Sequence, residues 1–268
     1  MKISVIQMNS QADKAKNIED ASHLIKAAAS EDKPDLVVLP ENFAHIGGTA
    51  ATRRANAETF PEGTAYRAMS RLAAELKVSI HAGSMLEAAG EKCYNATVVF
   101  NREGDEIARY RKIHLFDVEA PGGVCYRESD TIKAGRESVV YKLEDLKIGC
   151  AICYDLRFPE LFRTLRDRGA ELIVLPAAFT LQTGRDHWEP LLRARAIETQ
   201  SYLVASAQIF AHDNGARECF GRSLVIDPWG AIIAQCPDRI GHISAVIDKG
   251  YIAQIRRSMP VADHRVTV

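Results

Sequence analysis

Gly149-Cys150-Ala151-Ile152-Cys153-Tyr154-Asp155-Leu156-Arg157-Phe158-Pro159-Glu160 joins an apolar, β-rich segment, residues 146–152, to a helical segment spanning residues 158–168. A strand that gives way so quickly to a helix is half of a β/α unit. Cys153 stands at the turn between them. A thiol there is lifted to the edge of a sheet and faces the start of a helix, and both features are expected to favour the thiolate. A buried structural cysteine is the competing reading.

The same alternation extends in both directions. Residues 3–8 read as a strand and 14–29 as a helix with apolar Ala15, Ile18, Ala21, Leu24 and Ile25. Residues 36–39 form a strand ending at Pro40-Glu41, and a helix over 63–77 leads into a strand over 78–85. Residues 94–100 and 106–112 flank Asn101-Arg102-Glu103-Gly104, a hairpin signal. The long stretch 114–136 reads as irregular, and loops of that length in a compact domain are usually functional. Beyond Cys153 come strands over 171–175, 202–208 and 242–247, helices over 187–199 and 251–257, and a hairpin of 223–226 with 231–234 around Asp227-Pro228-Trp229-Gly230.

Pro34-Asp35-Leu36-Val37-Val38-Leu39-Pro40-Glu41 is echoed by Ala170-Glu171-Leu172-Ile173-Val174-Leu175-Pro176-Ala177, as if two β/α halves were built alike. Hairpins interrupt the βαβ alternation, so helices should cover one face of each sheet. The expected fold is an α-β-β-α sandwich of two mixed sheets with helices on the outer faces, in a single domain over residues 1–268. No G-x-G-x-x-G follows the first strand, which disfavours a dinucleotide-binding fold.

A net charge of −1 and scattered arginines argue against a nucleic-acid partner. No apolar run reaches membrane-spanning length and no leader pattern follows Met1, so a cytoplasmic protein is expected. Six cysteines in that compartment should be free thiols, and the Asn95-Ala96-Thr97 sequon should carry no meaning. No cofactor or metal is expected. Cys150 and Cys153 form C-x-x-C, but the other four cysteines are dispersed singly and Cys150 lies within the strand, against zinc or dithiol chemistry.

A cysteine hydrolase needs a base and a site for the oxyanion. His45, His114 and His187 lie near strand ends or loops, which leaves a Cys-His dyad open but without a supporting local pattern. Glu41 follows an apolar strand, where partial desolvation would raise its pKa. Lys112 ends a hairpin strand, so Glu41, Lys112 and Cys153 all stand where strands enter loops. Singly, a Glu or Lys in such a position is usually just solvated.

Leu39-Pro40-Glu41-Asn42-Phe43, Tyr110-Arg111-Lys112-Ile113-His114-Leu115 and Cys153-Tyr154-Asp155-Leu156-Arg157-Phe158-Pro159-Glu160 together resemble, in order and spacing, the three signature segments of the nitrilase (carbon–nitrogen hydrolase) superfamily. The resemblance covers nearly the whole chain, including His187-Trp188-Glu189 and Arg193-Ala194-Arg195-Ala196-Ile197-Glu198. It implies Glu41 as general base, Lys112 as the ammonium at the oxyanion, Cys153 as nucleophile and Glu128 as a second, positioning carboxylate. The Tyr154 N–H would be a second oxyanion donor.

Attack on an amide would release ammonia and leave a thioester for water to hydrolyse. The segment from His114 to Gly122 is similar to the branch of ω-amide hydrolases, with deaminated glutathione the favoured substrate and α-ketoglutaramate the alternative. Phe43-Ala44-His45 and Cys219-Phe220-Gly221-Arg222 depart from the branch pattern, and Tyr154-Asp155 after the nucleophile disfavours nitrile hydrolysis. A dianionic substrate calls for cations, and Arg157, Arg185 and Arg193 are the candidates. Arg195 is the weakest, since it cannot share a helix face with Arg193. Ion pairs with Asp155, Glu160 or Glu198 are the competing use of these arginines. The family also implies a homodimer or a higher homo-oligomer. A non-catalytic interaction protein is the competing class, to be separated by a lack of unusual thiol reactivity near neutral pH.

Overall fold

The computed structural model describes residues 1–120 and 124–266. One sheet runs Gly241–Val246, Lys2–Gln7, Leu36–Val38, Ser79–His81, Lys92–Phe100, with Met85–Ala89 and Glu106–Arg111 also paired to Lys92–Phe100. The other runs Ile232–Gln235, Leu224–Ile226, Tyr202–Ala207, Leu172–Ala177, Leu146–Cys150, Val140–Leu143. In each sheet the echoed strand, Leu36–Val38 or Leu172–Ala177, is parallel to both neighbours, and the strands at the sheet margins are antiparallel. The repeated sequence thus marks the centre of each half.

Alternation along single strands sets the layers. Ile3, Val5, Leu36 and Val38 join the core shared with the second sheet, while Ile6, Val37 and Leu39 pack beneath helices Lys14–Asp32 and Thr64–Leu76. Those helices contribute Ala21, Ile25, Ala28, Ala65, Met69 and Leu72. Helices Pro159–Asp167 and Leu181–Thr199 cover the second sheet with Leu161, Phe162, Leu165, Trp188 and Leu192. Fully burying a side chain such as Leu, Ile or Phe contributes about 1.5–3 kcal/mol, so the two-period pattern alone favours this layering. The arrangement is the α-β-β-α sandwich expected from the sequence.

Three local readings change. The single strand expected over 78–85 is two, Ser79–His81 and Met85–Ala89, which run along one partner with Ile80 opposite Phe100 and Met85 opposite Ala96. Gly83 makes the bend at φ 48°, and a Cβ there would lie 2.0 Å from the Pro40 carbonyl oxygen. The helix expected over 187–199 begins six residues earlier, at Leu181. Gly184 belongs to it because a Cβ would lie 2.3 Å from Phe220 Cβ, so helix and neighbouring strand touch there.

The stretch 114–136 is not irregular throughout. It holds a hairpin, Asp117–Ala120 with Val124–Arg127, and a 3₁₀ turn, Glu128–Asp130; Pro121 and Gly122 lie outside the described residues. Helix Ala50–Asn56 and the hairpin Ile209–His212 with Arg217–Phe220 had no clear sequence signal.

Candidate active site

Glu41 lies just beyond strand Leu36–Val38, Lys112 just beyond Glu106–Arg111, and Cys153 three residues beyond Leu146–Cys150. The fold brings all three to one cavity, together with Glu128. Glu41 is 3 %, Lys112 2 % and Cys153 8 % exposed, so water screens their charges weakly.

Lys112 Nζ is held between two carboxylates, 3.0 Å from Glu41 Oε1 and 2.9 and 3.1 Å from the two Glu128 oxygens. Burial opposes the ammonium charge, but Glu128 and then Glu41 outweigh it and lift the lysine pKa well above its ordinary value. Glu128 Oε2 also accepts the Phe116 N–H at 2.6 Å, which fixes the carboxylate to the loop. Glu41 Oε2 accepts the Ala178 N–H at 2.8 Å. Ala178 follows the echoed strand of the other sheet, so the two halves of the molecule meet at this hydrogen bond.

Asn95 is a member of the cluster that the sequence reading passed over as an idle sequon. Its Nδ2 donates to Glu41 Oε1 at 2.8 Å and approaches Glu128 Oε1 at 3.5 Å. The signal was present in the alternation: Asn95 and Thr97 are buried polar residues on an otherwise apolar strand.

Cys153 adopts φ 46°, the left-handed region that costs a non-glycine residue energy. Asp155 locks this turn. Its carboxylate accepts the Ile152 N–H at 2.8 Å, the Tyr110 hydroxyl at 2.7 Å, and the His114 N–H at 3.0 Å, with His114 Nδ1 at 2.7 Å. His114, also stacked on Phe158 at 3.7 Å, is committed to that scaffold, and His187 is exposed against Arg157. Neither serves a Cys-His dyad; the charged neighbours of the thiol are Glu41 and Lys112.

The surroundings of the sulfur favour the thiol over the thiolate. Burial first, and then Glu41, raise the Cys153 pKa well above its ordinary value, and Lys112 offsets this only in part. That corrects the thiolate expected from the turn. Cys153 opens a 3₁₀ turn, Cys153–Arg157, not the α-helix, which starts at Pro159, so the helix dipole acts from further away. It also weakens neutral-pH thiol reactivity as a mark of a live site. Tyr154 lines the cavity from the first turn of that 3₁₀ helix, where N–H groups lack intrahelical acceptors. Cys150 is fully buried in its strand and burial pushes its pKa up, which leaves no reactive dithiol; all six cysteines are free.

The arginines divide differently from the sequence reading. Arg157 lines the cavity, its guanidinium 5.3 Å from the Phe179 ring and 5.9 Å from that of Tyr154. Arg185 and Arg193 do not reach the cavity. Both lie exposed on helix Leu181–Thr199, whose inward face carries Gly184, Trp188, Leu192, Arg195 and Thr199, and Arg193 Nε donates to the Gly230 carbonyl. Buried Arg195 pairs with Glu198 and donates to the Leu156 carbonyl, bracing the turn after Cys153. The cavity instead takes Arg53, Arg127 and Arg217 from segments whose structure the sequence did not announce.

The carbon–nitrogen hydrolase pattern matches residues 2–257. The chain is 40% identical to a deaminated glutathione amidase of Synechocystis sp., covering 99% of this chain and 98% of the relative. It is 36% identical to omega-amidase NIT2 of Xenopus tropicalis, covering 98% and 94%. The crystal structure of the Caenorhabditis elegans NitFhit protein superposes with a TM-score of 0.91 at 39% identity, over 98% of this chain and 64% of that one. The chain belongs to the carbon–nitrogen hydrolase family, whose members are hydrolases of carbon–nitrogen bonds in amides.

Proposed function

We propose that this carbon–nitrogen hydrolase cleaves the ω-amide of a small keto acid through a Cys153 thioester, with deaminated glutathione as the preferred substrate. The single observation that carries the proposal is Lys112, an ammonium buried between Glu41 and Glu128 at the wall that also holds Cys153.

In the proposed cycle Glu41 takes the thiol proton as sulfur adds to the amide carbon, which suits a resting thiol that needs a base. Lys112 and the Tyr154 N–H stabilise the oxyanion; one such donor is worth about 10²–10³ in rate. Glu41 returns the proton to the departing nitrogen, and the thioester remains. Water, deprotonated by Glu41, then attacks the thioester and frees the acid and the thiol. Glu128 holds Lys112 in place throughout, and Arg157 binds the keto-acid carboxylate.

The leaving group depends on the amide. α-Ketoglutaramate, the alternative substrate, has a primary amide and releases ammonia. The ω-carbonyl of deaminated glutathione carries cysteinylglycine instead, so the sequence expectation of ammonia applies to the alternative alone. The common product is the keto diacid, and its release measures both reactions. We expect kcat/KM to favour deaminated glutathione; a tenfold preference for α-ketoglutaramate, about 1.4 kcal/mol in transition-state binding, would reverse the ordering.

A homodimer and a cytoplasmic location belong to the same proposal. Ile197 and Trp229, 48 % and 56 % exposed, offer an apolar face beside helix Leu181–Thr199. No helix among the described residues is long and apolar enough to cross a membrane. Light scattering on the purified protein tests the dimer.

A further inference from the structure

Beyond the catalytic cluster, one wall of the cavity carries two arginines that have no ion-pair partner among the described residues. Arg53, on helix Ala50–Asn56, and Arg217, opening strand Arg217–Phe220, both line the cavity and are half-buried. Neither is in an ion pair among the described residues, whereas Arg102, Arg109, Arg111, Arg195, Arg222 and Arg265 each have a carboxylate. The side-chain hydrogen bond of Arg53 goes to Thr131 Oγ1 at 3.2 Å, and the guanidinium of Arg217 lies 5.8 Å from the Tyr126 ring. Burial, and then the charge of Arg217, lower the pKa of Arg53, and Glu128 and Asp213 offset this only in part, so an anion placed here would relieve a standing repulsion.

Two buried histidines stand behind the same wall. His45 Nδ1 lies 3.0 Å from the Ala12 carbonyl oxygen and His212 Nδ1 2.7 Å from that of Ser10. Both rings are buried, both line the cavity, and the Nε2 atom of each has no partner. Burial lowers both pKa values, opposed by the backbone carbonyls of Ala12 and Gly47 at His45 and of Ser10 at His212. The wall is one physical unit: Asp213, beside His212, accepts the Gly48 N–H at 3.2 Å, tying the hairpin to the loop before helix Ala50–Asn56.

We propose that Arg53 and Arg217, set on a wall backed by His45 and His212, form a leaving-group subsite that receives a peptide-like amine ending in a carboxylate. The inference rests on the amidase reading above. A small keto-acid acyl group brings one carboxylate, and Arg157, four residues after the nucleophile and packed on the Tyr154 and Phe179 rings, is placed to take it. Arg53, near Thr131, and Arg217, near Tyr126, have no carboxylate partner among the described residues and suit an amine half that is also anionic. Such a subsite favours an amide of a dipeptide over a primary amide, which has no amine half to bind.

The test is a cycle of substrates against variants. kcat/KM is measured for deaminated glutathione, for the same compound with its terminal carboxylate capped as an amide, and for α-ketoglutaramate. The enzymes are the wild type, Arg217→Gln, Arg53→Gln and the double variant carrying both. Capping should cost the wild type about tenfold to a hundredfold, the scale of a hydrogen bond to a charged group, and should cost the double variant almost nothing. A penalty for capping that is absent in the wild type, or equal in wild type and variants, overturns the subsite. Should the variants fail to fold, inhibition of the wild type decides: cysteinylglycine must inhibit at lower concentration than its amide, and equal inhibition overturns the proposal. Wild type that turns over none of the three amides overturns the amidase reading itself, a separate and recognisable failure.

Discussion

Glu41→Gln separates the role of Glu41 as proton acceptor from its role as scaffold. Its Oε1 accepts from Lys112 at 3.0 Å and Asn95 at 2.8 Å, and its Oε2 accepts from the Ala178 N–H at 2.8 Å. A glutamine keeps one acceptor oxygen, so its amide nitrogen must face either Lys112 and Asn95 or Ala178, and both sides are donors. Either orientation replaces a charge-assisted hydrogen bond by a donor–donor contact, a loss of about 1.5–3 kcal/mol in stability. The chemical loss is larger. A positioned general base is worth roughly 10²–10⁴ in rate, or about 3–5 kcal/mol of barrier. We therefore predict a folded protein, a melting temperature lower by several degrees, and kcat reduced about a thousandfold with KM little changed. Keto-acid release and a melting curve on the same sample provide the assay. A folded Glu41→Gln enzyme with kcat within tenfold of wild type would refute the reasoning and leave Glu41 as a support for Lys112.

Lys112→Arg keeps the charge but brings a planar fork into a slot built for a point charge between two carboxylates; kcat should fall on the order of a hundredfold or more, and near-normal kcat would move the oxyanion site elsewhere. Because burial and Glu41 raise the Cys153 pKa, iodoacetamide alkylation of the substrate-free enzyme should climb steadily from about pH 7 to beyond pH 9. A plateau below pH 8 would mean that the Lys112 charge prevails. Asp155→Asn removes the charge that three N–H or O–H donors around Cys153 rely on; it should cost about 3 kcal/mol of unfolding free energy, read by urea denaturation. An unchanged midpoint would remove Asp155 as the lock of the turn.

The layered fold was legible because alternation along residues 3–8, 36–39, 171–175 and 202–208 splits apolar residues between two faces, and the echo of Leu36–Val38 in Leu172–Ala177 exposed the two halves. Glu41, Lys112 and Cys153 were legible because each lies just beyond a strand and carries distinctive flanks. Proximity in the chain then misled. Arg185 and Arg193 neighbour motif residues in sequence, but the helix turns them to solvent while Gly184, Trp188 and Leu192 face inward. Arg53 and Arg217 come from a helix with no buried residue and a hairpin rich in polar residues, where no apolar period announces structure. Asn95 was hidden by a sequon that drew attention from its place in the strand. The Cys153 pKa is raised by burial and then by Glu41, more than a hundred residues away in the chain, and no local pattern encodes either.

The central claim is that Cys153 carries the acyl group. Mass spectrometry of the wild-type protein quenched during turnover of an ω-amide tests it most directly. The account predicts a keto-acyl thioester on the peptide containing Cys153, absent from a folded and inactive Cys153→Ala variant. An adduct on Cys150, or full activity in Cys153→Ala, would contradict it.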